Sequence, residues 1–552
     1  MVAVSLPPRR QTLAPESDGT IGGIIHVHTI RSDGRSSPDE IAEAAARAGL
    51  KFLVFTDHGD GTRPPDPPAY RHGVLCLDGV EISTDGGHYL ALEMPASPYP
   101  LGGDPAGVVE DVKRLGGFGI VAHPNSPKTE LRWQDWEAPF DAIEWLNPDT
   151  SWRLRIRETG WQARWRVAAT LLGYPFRPPE AIAHLLAGTE LQESEWSRIA
   201  RRRHLVLLAG ADAHARLDLT AGDPRTGGLS LPLPGYTSSF ATLSLHVRPD
   251  RPLTGDALRD AVTLMTALRR GHVYTAVDGI ASPPFFEFTA ADGDGLAAAG
   301  DGLAGRGPVD LRVRSNAPAS FATVISKDGQ PFARVMGGGD VSRRAEGPGV
   351  YTVAIVGPPE WGSAPWIFSN PIYVGLRPSV VERPAGVLRA SRPIFNGRER
   401  GAWRTESDPT SRAALDLAPT ANDRSELCLR YALSAGAPRS QYAALAVDLP
   451  PEAGGFDRLR FSARSEQPLR ILVHLHPSER TEGWQQSVYV DQVARDYTIR
   501  FDEARPIPPT SLPHPPGGAI RAILFVIDTT HARPGWSGRL WIASAALERW
   551  SE

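Results

Sequence analysis

The chain has 552 residues, of which 41% are hydrophobic and 22% are charged, and its formal net charge is −4. This length exceeds one typical domain, the composition excludes wholesale disorder, and the charge argues against a strongly basic nucleic-acid-binding protein, so no nucleic-acid partner is expected. The two cysteines, Cys76 and Cys428, exclude a disulfide framework and a cysteine-rich zinc site.

The N-terminal residues 1–20 are expected to form a tail. Arg9 and Arg10 have no apolar segment after them, so the sequence does not predict a signal peptide. No apolar run in the sequence reaches the roughly 18 residues that a membrane span requires. We therefore expect a cytoplasmic protein without a membrane span, with export open if the true N-terminus is longer.

Residues 21–280 alternate short apolar runs with helical patterns. The best-marked helix is predicted over Ser37–Ala48, because Ser37 can cap it, Glu40 completes a capping box and Gly49 ends it. The apolar runs that predict strands are residues 24–29, 52–56, 74–77, 88–94, 119–122, 142–146 and 205–209. A second helix is predicted near residues 105–115. This alternation predicts an α/β fold with a largely parallel sheet or a barrel.

The rest of the chain is predicted to add a helical insertion and two β domains. The insertion, residues 151–204, is rich in Arg and Trp. Residues 283–376 lose helical periodicity and show period-two alternation, which predicts a small β-sandwich. Residues 377–552 are β-rich again and are loosely similar to a galactose-binding-type jelly roll. We therefore expect two all-β sandwich domains after the α/β zone.

The first strand candidate ends in a His-x-His pair, His26 and His28. Residues two apart on a strand point to the same side, so both imidazoles can face one metal ion. Such a pair alone is weak evidence, because the chain contains 15 histidines and a second pair, His474 and His476, in its C-terminal zone. That second pair has no carboxylates near it in sequence, and we expect it to be a strand feature.

The first pair differs because further ligand-type residues follow at the ends of successive apolar runs. Those residues are Asp33, the pair Asp57 and His58, Glu81, His88, His123, Asp212 and His214. In a parallel barrel the carboxyl ends of the strands converge on one face, where active sites are built. The spacing therefore predicts that these side chains meet at a metal site.

The motifs, in order, are H-x-H-T-x-x-S-D-G, T-D-H, G-V-E-I-S, A-H-P and A-D-A-H. Together they resemble the PHP family, the polymerase-and-histidinol-phosphatase metallohydrolases, over about half of the chain. The resemblance implies a distorted seven-stranded β/α barrel that binds two to three divalent ions. It implies that one ion is held by His26, His28, Glu81 and Asp212, that Glu81 bridges to a second ion on His88 and His123, and that Asp33, His58 and His214 hold a third.

The donor set agrees with hydrolytic metal chemistry. Imidazoles and carboxylates without a thiolate suit Zn, Mn or Fe. Ions roughly 3.5–4 Å apart can share a hydroxide and clamp the attacking and leaving oxygens. We expect a metal-dependent phosphoesterase that uses a metal-bridging hydroxide on a small-molecule phosphate ester; the alternative is a carboxyl-ester or carbamate hydrolase. The residues expected to be catalytic are Glu81, Asp212, His214 and Asp57.

Several nearby residues are candidates for supporting roles. Asp57 can orient a ligating imidazole, and Glu144 with Asn147 can reach the mouth of the barrel. The arginines of the insertion suit phosphate contacts. In a chain this rich in Arg, however, we expect them to form a solvated helix face. These are Arg153, Arg155, Arg157, Arg164 and Arg166.

The β domains keep two alternatives open. The segment Trp366–Val374 resembles the end of the small β domain in a PHP branch that includes carbaryl-hydrolase-like proteins. For this reason a non-phosphate ester remains an alternative substrate. In the last zone a carbohydrate ligand is possible, although its tryptophans are expected to fill the core rather than form a sugar platform. Those tryptophans are Trp403, Trp484, Trp536 and Trp541. The alternative to an enzyme is that the chain is a non-catalytic carbohydrate-binding protein.

Overall fold

The computed structural model describes residues 7–187, 193–218, 230–293, 295–337, 339–376, 386–420, 423–436, 441–450, 455–477, 482–516 and 518–551. Residues 1–6 of the predicted tail, 188–192 of the predicted insertion and 377–385 at the start of the predicted last domain lie outside these ranges. The chain divides into two compact units: Met1–Asp60, Pro64–Pro95 and Val112–Val380 form the first, and Gly61–Arg63, Ala96–Asp111 and Val381–Glu552 form the second.

The chain is a mixed α/β structure in which strands outnumber helices. The helices are α1 (Pro38–Arg47), α2 (Pro105–Arg114), α3 (Pro148–Arg157), α4 (Trp161–Gly173), α5 (Pro178–Leu185), α6 (Glu193–Ala200), α7 (Tyr236–Phe240) and α8 (Ala257–Arg270).

The strands of the first unit are β1 (Gln11–Thr12), β2 (Ile21–Val27), β3 (Phe52–Phe55), β4 (Ala69–Arg71), β5 (Val74–Asp78), β6 (Val80–Thr84), β7 (Gly87–Leu92), β8 (Phe118–Val121), β9 (Ala142–Leu146), β10 (Val206–Ala209), β11 (Leu217–Asp218), β12 (Ser230–Leu231), β13 (Ser244–Val247), β14 (Val273–Ala276), β15 (Ala281–Ser282), β16 (Phe286–Ala291), β17 (Leu296–Ala298), β18 (Gly302–Leu303), β19 (Val309–Ser315), β20 (Ala322–Lys327), β21 (Gln330–Met336), β22 (Asp340–Ala345), β23 (Gly349–Val356), β24 (Ile367–Ser369) and β25 (Ile372–Val374).

Two sheets carry the strands that position the site. In one, β13, β2, β3 and β5 lie side by side, with β2–β3 and β3–β5 parallel. The other has the order β10-β9-β8-β7-β6. Isolated parallel bridges, Val27 to Ala213 and His58 to Glu81, link the ends of these two sheets. Because β2, β3, β9 and β10 consist almost wholly of buried residues, the sheets form the core of this unit.

The second of these sheets is mixed rather than largely parallel. β6 and β7 form an antiparallel hairpin across a turn at residues 85–86, and β8 pairs antiparallel with β7. β8, β9 and β10 are parallel to one another. A turn this short can only join antiparallel strands, since parallel strands need a long crossover.

Helix α1 begins where the sequence predicts. Ser37 is the N-cap, its hydroxyl accepts a hydrogen bond from the backbone N–H of Glu40, and the Glu40 carboxylate accepts one from the backbone N–H of Ser37. The predicted capping box is therefore confirmed. Helix α8 starts at the N-cap Asp256 and ends at Gly271, whose φ of 75° lies in the left-handed region that glycine tolerates.

The predicted middle β zone shares a sheet with the α/β zone. β24 pairs antiparallel with β14 of the α/β zone and with β23 of the middle zone. A separate sheet has the order β17-β16-β19-β22. Alternating burial along β19 matches the predicted period-two pattern, with one face buried and the other exposed.

The second unit is a pair of packed sheets. Its strands are β26 (Val387–Phe395), β27 (Arg404–Ser407), β28 (Arg412–Pro419), β29 (Ser425–Ala432), β30 (Tyr442–Asp448), β31 (Arg458–Ser465), β32 (Leu469–His476), β33 (Trp484–Val490), β34 (Arg495–Arg500), β35 (Arg505–Pro506), β36 (Ala522–Asp528) and β37 (Ser537–Ser551). One sheet has the order β28-β29-β37-β31-β34, with β26 on β37, and the other has the order β27-β30-β36-β32-β33-β35. Trp403 stacks on Phe525 in the core, and Phe525 meets Phe461 edge to face.

Among the described residues, no helix is long and apolar enough to cross a membrane.

Candidate metal centre

The residues predicted to bind metal lie at or just after the ends of strands. His26 is in β2 and His28 follows it, His58 follows β3, and Glu81 lies in β6. His88 opens β7, His123 follows β8, and Asp212 and His214 follow β10. The bridges that join Val27 to Ala213 and His58 to Glu81 bring four of these strand ends together.

Glu81 lies at the centre of the cluster and is 1% exposed. In the described part of the chain, five imidazole nitrogens approach its carboxylate: Nδ1 of His88 (2.7 Å), Nε2 of His123 (3.0 Å), Nε2 of His28 (3.1 Å), Nε2 of His26 (3.2 Å) and Nδ1 of His58 (3.4 Å). The first two approach Oε1 and the other three approach Oε2. Because the two oxygens face different imidazoles, this carboxylate has the placement of a bridging group.

Two further carboxylates complete the cluster. Oδ1 of Asp212 lies 3.4 Å from Nε2 of His26 and 3.6 Å from Nδ1 of His214. Asp33 lies on the solvent side, where its Oδ2 is 3.3 Å from Nε2 of His214 and its Oδ1 is 3.4 Å from Nδ1 of His28. All nine residues that the sequence singled out therefore lie in one continuous cluster.

The ligand atoms fall into overlapping groups, each spanning less than 4.8 Å. The groups are His28, Asp33, His58 and His214; His26, Glu81 and His123; His26, His28 and Asp212; and His58, Glu81 and His88. The resemblance likewise places His28 with His26 and Asp212, but it separates His58 from Glu81. In the structure His28 and His58 each belong to two of these groups.

The donor set fits divalent ions of the zinc, manganese or iron type. Nε2 of His28 is buried and makes no hydrogen bond, although a carboxylate oxygen of Glu81 lies 3.1 Å away. A buried nitrogen without a hydrogen-bond partner costs free energy that a metal ion would recover. Imidazole and carboxylate donors at this density, without a thiolate, match these ions.

Electrostatics hold the buried carboxylates of the cluster ionised. Burial favours the neutral acid, but His26 and the hydrogen bond from His123 outweigh burial and keep the pKa of Glu81 well below its usual range. The pKa of Asp212 is likewise held well below normal against burial, chiefly by His26 and His28. Both side chains therefore present negative charge to a cation at neutral pH.

The imidazoles titrate differently according to their neighbours. Burial lowers the pKa of His58. For His214, contacts with Asp33 and Asp212 overcome the effect of burial and raise the pKa to about 9. Without metal, His214 therefore carries a proton at neutral pH, and a metal ion must displace that proton to bind.

Three residues of the cluster have backbone conformations that L-amino acids seldom adopt. The φ angles are 62° at His26, 29° at His123 and 48° at Asp212. Such residues are strained by about 1–3 kcal/mol each, and strain of this kind concentrates at functional sites. In each case the conformation turns the side chain at the end of its strand, which strand periodicity alone does not predict.

Side chains and carbonyls behind the cluster fix the imidazole rings. Nδ1 of His26 lies 2.6 Å from Oε1 of Glu144, and Oε2 of Glu144 accepts a hydrogen bond from the backbone N–H of His123. Nδ1 of His123 lies 3.1 Å from the carbonyl oxygen of Leu131. Asn147 donates to Glu144 and, at 3.4 Å, to Asp212. Outer carboxylates and carbonyls of this kind orient ligating imidazoles.

Asp57 supports the cluster through the chain that follows His28. Its carboxylate accepts hydrogen bonds from the backbone N–H and the hydroxyl of Thr29, both at 2.8 Å, and from the hydroxyl of Ser32 at 2.7 Å. These contacts hold the turn between His28 and Asp33. Among the described contacts, Asp57 therefore acts on this turn rather than on an imidazole.

Three arginines of the helical insertion have local partners. Arg153 pairs with Asp149, and Arg157 donates to the carbonyl of Pro127. Arg155 is 8% exposed and donates to the carbonyls of Leu185 and Leu186. This buried guanidinium joins α3 to the end of α5, which is a structural role.

The second His-x-His pair lies apart from any such cluster. His474 and His476 are neighbours on β32 with ring centroids 5.7 Å apart. Burial, with a smaller contribution from His476, lowers the pKa of His474 to about 4. Among the described residues, the groups of three or more ligand-type side chains do not include either of them.

No family model matches the chain. An uncharacterized protein of Methanocaldococcus jannaschii is 28% identical over 116 residues, which cover 19% of this chain and 67% of that protein.

Two solved structures are similar at low identity. A two-domain protein from Bacteroides vulgatus, described as containing a predicted PHP-like metal-dependent phosphoesterase, is 13% identical, with 66% of this chain and 99% of that one covered and a TM-score of 0.30. A family 11 carbohydrate-binding module from Clostridium thermocellum, in complex with a mixed-linked tetrasaccharide, is 16% identical, with 30% of this chain and 99% of that one covered and a TM-score of 0.23. At these TM-scores neither similarity bears on the chemistry of this chain.

Proposed function

We propose that this protein is a metal-dependent hydrolase of the PHP type, acting on a small-molecule phosphate ester. The observation that carries the proposal is the carboxylate of Glu81, which is buried and surrounded by five imidazole nitrogens at 2.7–3.4 Å in the described structure. A structural role does not require so many ionisable groups in one place, because burying them without a cation is costly.

The proposed ligands are the nine residues of the cluster. Glu81 would contribute its two oxygens to two of the ions, and Asp212 and Asp33 would supply the other carboxylates. The imidazoles are those of His26, His28, His58, His88, His123 and His214. This assignment is supported by the overlapping groups of ligand atoms and by the buried His28 nitrogen that makes no hydrogen bond.

When bound, two or three divalent ions supply an activated water and polarise the ester. Hydrolysis would form a bond from a water oxygen to phosphorus and break the bond from phosphorus to the alcohol oxygen. The alcohol oxygen takes up the proton that the water loses, so the products are the free alcohol and inorganic phosphate. No other reactant is needed.

The chain's own side chains have three tasks in this proposal. Glu81 and Asp212 remain ionised and provide the negative charge that holds the cations. Glu144 holds the His26 ring by Nδ1, which leaves Nε2 directed at the cluster. Asp57 fixes the turn that carries Asp33. Asp212 and His214 are the cluster members that line the adjoining pocket among its described residues, and we assign them to the reacting group.

The alternative substrate is a carboxyl ester or a carbamate. The same donor set can hydrolyse an activated carbonyl, because the attack of water on carbon needs the same charge stabilisation. In that case the water oxygen bonds to the carbonyl carbon, and the alcohol leaves with the proton.

The test is metal content and activity in the full chain. Protein expressed with Zn, Mn and Fe supplied should carry two to three ions per chain by elemental analysis, and chelation should abolish hydrolysis of phenyl phosphate or of phenyl acetate. Loss of phosphatase activity alone supports the first substrate class, and loss of esterase activity alone supports the second. A chain without metal would overturn the proposal.

The proposed architecture follows the motifs. Residues 21–280 form the distorted seven-stranded barrel with the helical insertion 151–204, residues 283–376 form the small β-sandwich, and residues 377–552 form the galactose-binding-like jelly roll. The parallel pairs β2–β3–β5 and β8–β9–β10, linked by the bridges at Val27 and His58, support the barrel.

A carbohydrate ligand at the second unit is the second candidate function, favoured by an open cleft. The cleft has a volume of about 1100 Å³ and lies on the outer side of β31, β34 and β37. Its wall includes Arg460 and Asp496, which pair at 2.9 Å, and the ring of Trp550 under the guanidinium of Arg458. Paired charges beside an aromatic ring suit a neutral polyhydroxylated ligand, because the ligand hydroxyls can bond both partners.

The tryptophans expected to fill the core partly do so. Trp403 and Trp484 are 2% and 1% exposed, so they cannot form a sugar platform. Trp541, on the same strand as Trp550, lies under Arg464 at 4.0 Å and outside the cleft. Trp550→Ala should therefore lose retardation of the full chain in gels that contain a bound polysaccharide, and Trp541→Ala should retain it. Equal retardation of both variants would contradict the cleft as the binding site.

A further inference from the structure

A pocket opens beside the candidate metal centre within the first unit. Its volume is about 240 Å³, and Asp212 and His214 form part of its wall. Part of the remaining wall comes from the helical insertion and includes Trp152, Leu171 and Leu185. The pocket therefore begins at the two side chains that we assign to the reacting group and continues away from them.

The far part of the pocket is apolar. Trp152 of α3, Leu171 of α4, and Ile182 and Leu185 of α5 contribute ring and alkyl surface. Tyr174 lies among them, and its hydroxyl is already engaged as the acceptor of the backbone N–H of Gly235. Binding pockets for small molecules typically combine such a lining with a few polar groups at one end.

Charge in the pocket argues against a second anionic group on the ligand. Among the described lining residues, the one arginine is Arg216, against the carboxylates of Asp149 and Asp212. Asp149 is paired with Arg153. A phosphate or carboxylate buried in the far part would need more cationic partners than the described wall supplies.

The size of the pocket sets an upper limit on that group. An apolar cavity of about 150 Å³ accommodates benzene. A pocket of 240 Å³ therefore has room for one substituted aromatic ring, or an alkyl group of similar bulk, once the reacting group is at Asp212 and His214.

Leu171 indicates that the apolar wall continues to the mouth. This side chain is 52% exposed although it lines the pocket, and the adjacent Leu172 is 60% exposed without lining it. Leaving a leucine half exposed at a pocket mouth costs little if a ligand covers it. The two leucines are a matched pair: both are on α4, with the same side chain and similar exposure.

We propose that the substrate is an ester whose alcohol part is an uncharged apolar group of about one aromatic ring, held between Trp152, Leu171 and Leu185. This inference rests on the proposed function, because it takes the cluster of Asp212 and His214 as the place of hydrolysis. It adds that the helical insertion selects the alcohol part of the substrate.

The kinetic test compares benzyl and ethyl esters, whose leaving groups are both primary alkoxides. With metal-loaded full chain, kcat/KM should be at least tenfold higher for benzyl phosphate than for ethyl phosphate, about the selectivity that extra apolar contact provides. If the chain is an esterase, benzyl acetate and ethyl acetate replace them. Leu171→Gln should raise KM for the benzyl ester about tenfold and leave the ethyl ester unchanged, and Leu172→Gln should change neither.

A second measurement needs neither metal nor turnover. Saturation-transfer NMR with benzyl alcohol and the metal-free full chain should show binding for the wild type and for Leu172→Gln, and a clear loss for Leu171→Gln. Binding without any hydrolysis would overturn the proposed function but would still support the pocket as the binding site of an apolar group. Hydrolysis without benzyl preference, or equal NMR signals from both variants, would overturn the inference about the pocket.

Discussion

Nδ1 of His26 lies 2.6 Å from Oε1 of Glu144, and both side chains are buried although 118 positions separate them in the chain. The other ring nitrogen of His26 lies 3.2 Å from Glu81. An imidazole held in this way has one nitrogen engaged by an outer carboxylate, which orients the other nitrogen towards the cluster and raises its basicity as a ligand. Glu144 also accepts the backbone N–H of His123, so one carboxylate positions two of the proposed ligands.

Glu144→Gln should lower metal affinity without unfolding the protein. Glutamine keeps the shape of the side chain but removes the charge that fixes His26, and loss of an outer partner of this kind typically costs roughly 10–100-fold in metal affinity. Competition with a chelating dye measures the change. Glu195→Gln, at a carboxylate paired with Arg198 on α6, is the control and should bind metal like the wild type. Equal affinities for the two variants would refute the positioning role.

Glu81→Gln should cost more metal and more activity than Asp57→Asn. The first change removes a carboxylate that contacts imidazoles on both of its oxygens, and the second weakens hydrogen bonds to Thr29 and Ser32 in the adjacent turn. Elemental analysis should show at least one ion fewer per chain for Glu81→Gln, and metal content near that of the wild type for Asp57→Asn. Similar losses in the two variants would mean that Glu81 does not bridge.

Gly210→Ala should disturb the candidate metal centre by displacing Glu144. A Cβ atom at this position would overlap Oε1 of Glu144 and lie 3.0 Å from Cβ of His26, so Glu144 must move. We expect metal affinity to fall by at least as much as in Glu144→Gln, together with a lower melting temperature. Gly307→Ala, where nothing lies within 4 Å of the added atom, should leave both properties unchanged. Wild-type metal affinity in Gly210→Ala would contradict this packing.

Asp278→Asn should change how stability depends on pH. Burial raises the pKa of Asp278 to about 6, against hydrogen bonds from Ser244 and Ser282 that favour the ionised form. A carboxyl group whose pKa is raised on folding stabilises the protein at low pH, and this contribution is lost as pH rises from about 4 through about 6.

Relative to the wild type, Asp278→Asn should therefore gain about 2 kcal/mol in free energy of unfolding between pH 4 and pH 7. Urea unfolding at both pH values measures the difference. Asp310→Asn, at an exposed carboxylate, gives the background. A difference between wild type and Asp278→Asn that stays constant with pH would show that Asp278 is not held neutral.

The sequence predicted correctly those elements that depend on residues close together in the chain. The capping box of Ser37 and Glu40 predicted the start of α1, and β9 has the predicted bounds of residues 142–146. Such features depend on residues a few positions apart, whose geometry the backbone fixes. The hairpin of β6 and β7 was not predicted, because the apolar runs that end at Glu81 and begin at His88 do not reveal strand direction.

The supporting residues were harder to rank from sequence. Glu144 lies in an apolar run and could equally face solvent, and only its contacts with His26 and His123 give it a role. Asp111 is a second residue whose role appears only through a distant contact. It pairs with Arg470 at 2.8 Å, and both side chains are 1% exposed. These two residues belong to the second unit although 359 positions separate them, and no sequence pattern links residues 96–111 to residues 381–552.

By itself the sequence determined which strand ends carry imidazoles and carboxylates, because His26, His58 and Asp212 follow apolar runs that must form buried strands. The tertiary structure decided how these side chains share partners: Glu81 between two groups of imidazoles, Glu144 behind His26, and an apolar pocket beside His214. The reason is physical. Strand periodicity is a property of neighbouring residues, whereas the position of a side chain relative to distant partners depends on sheet order, strand direction and backbone turns such as those at His26 and Asp212.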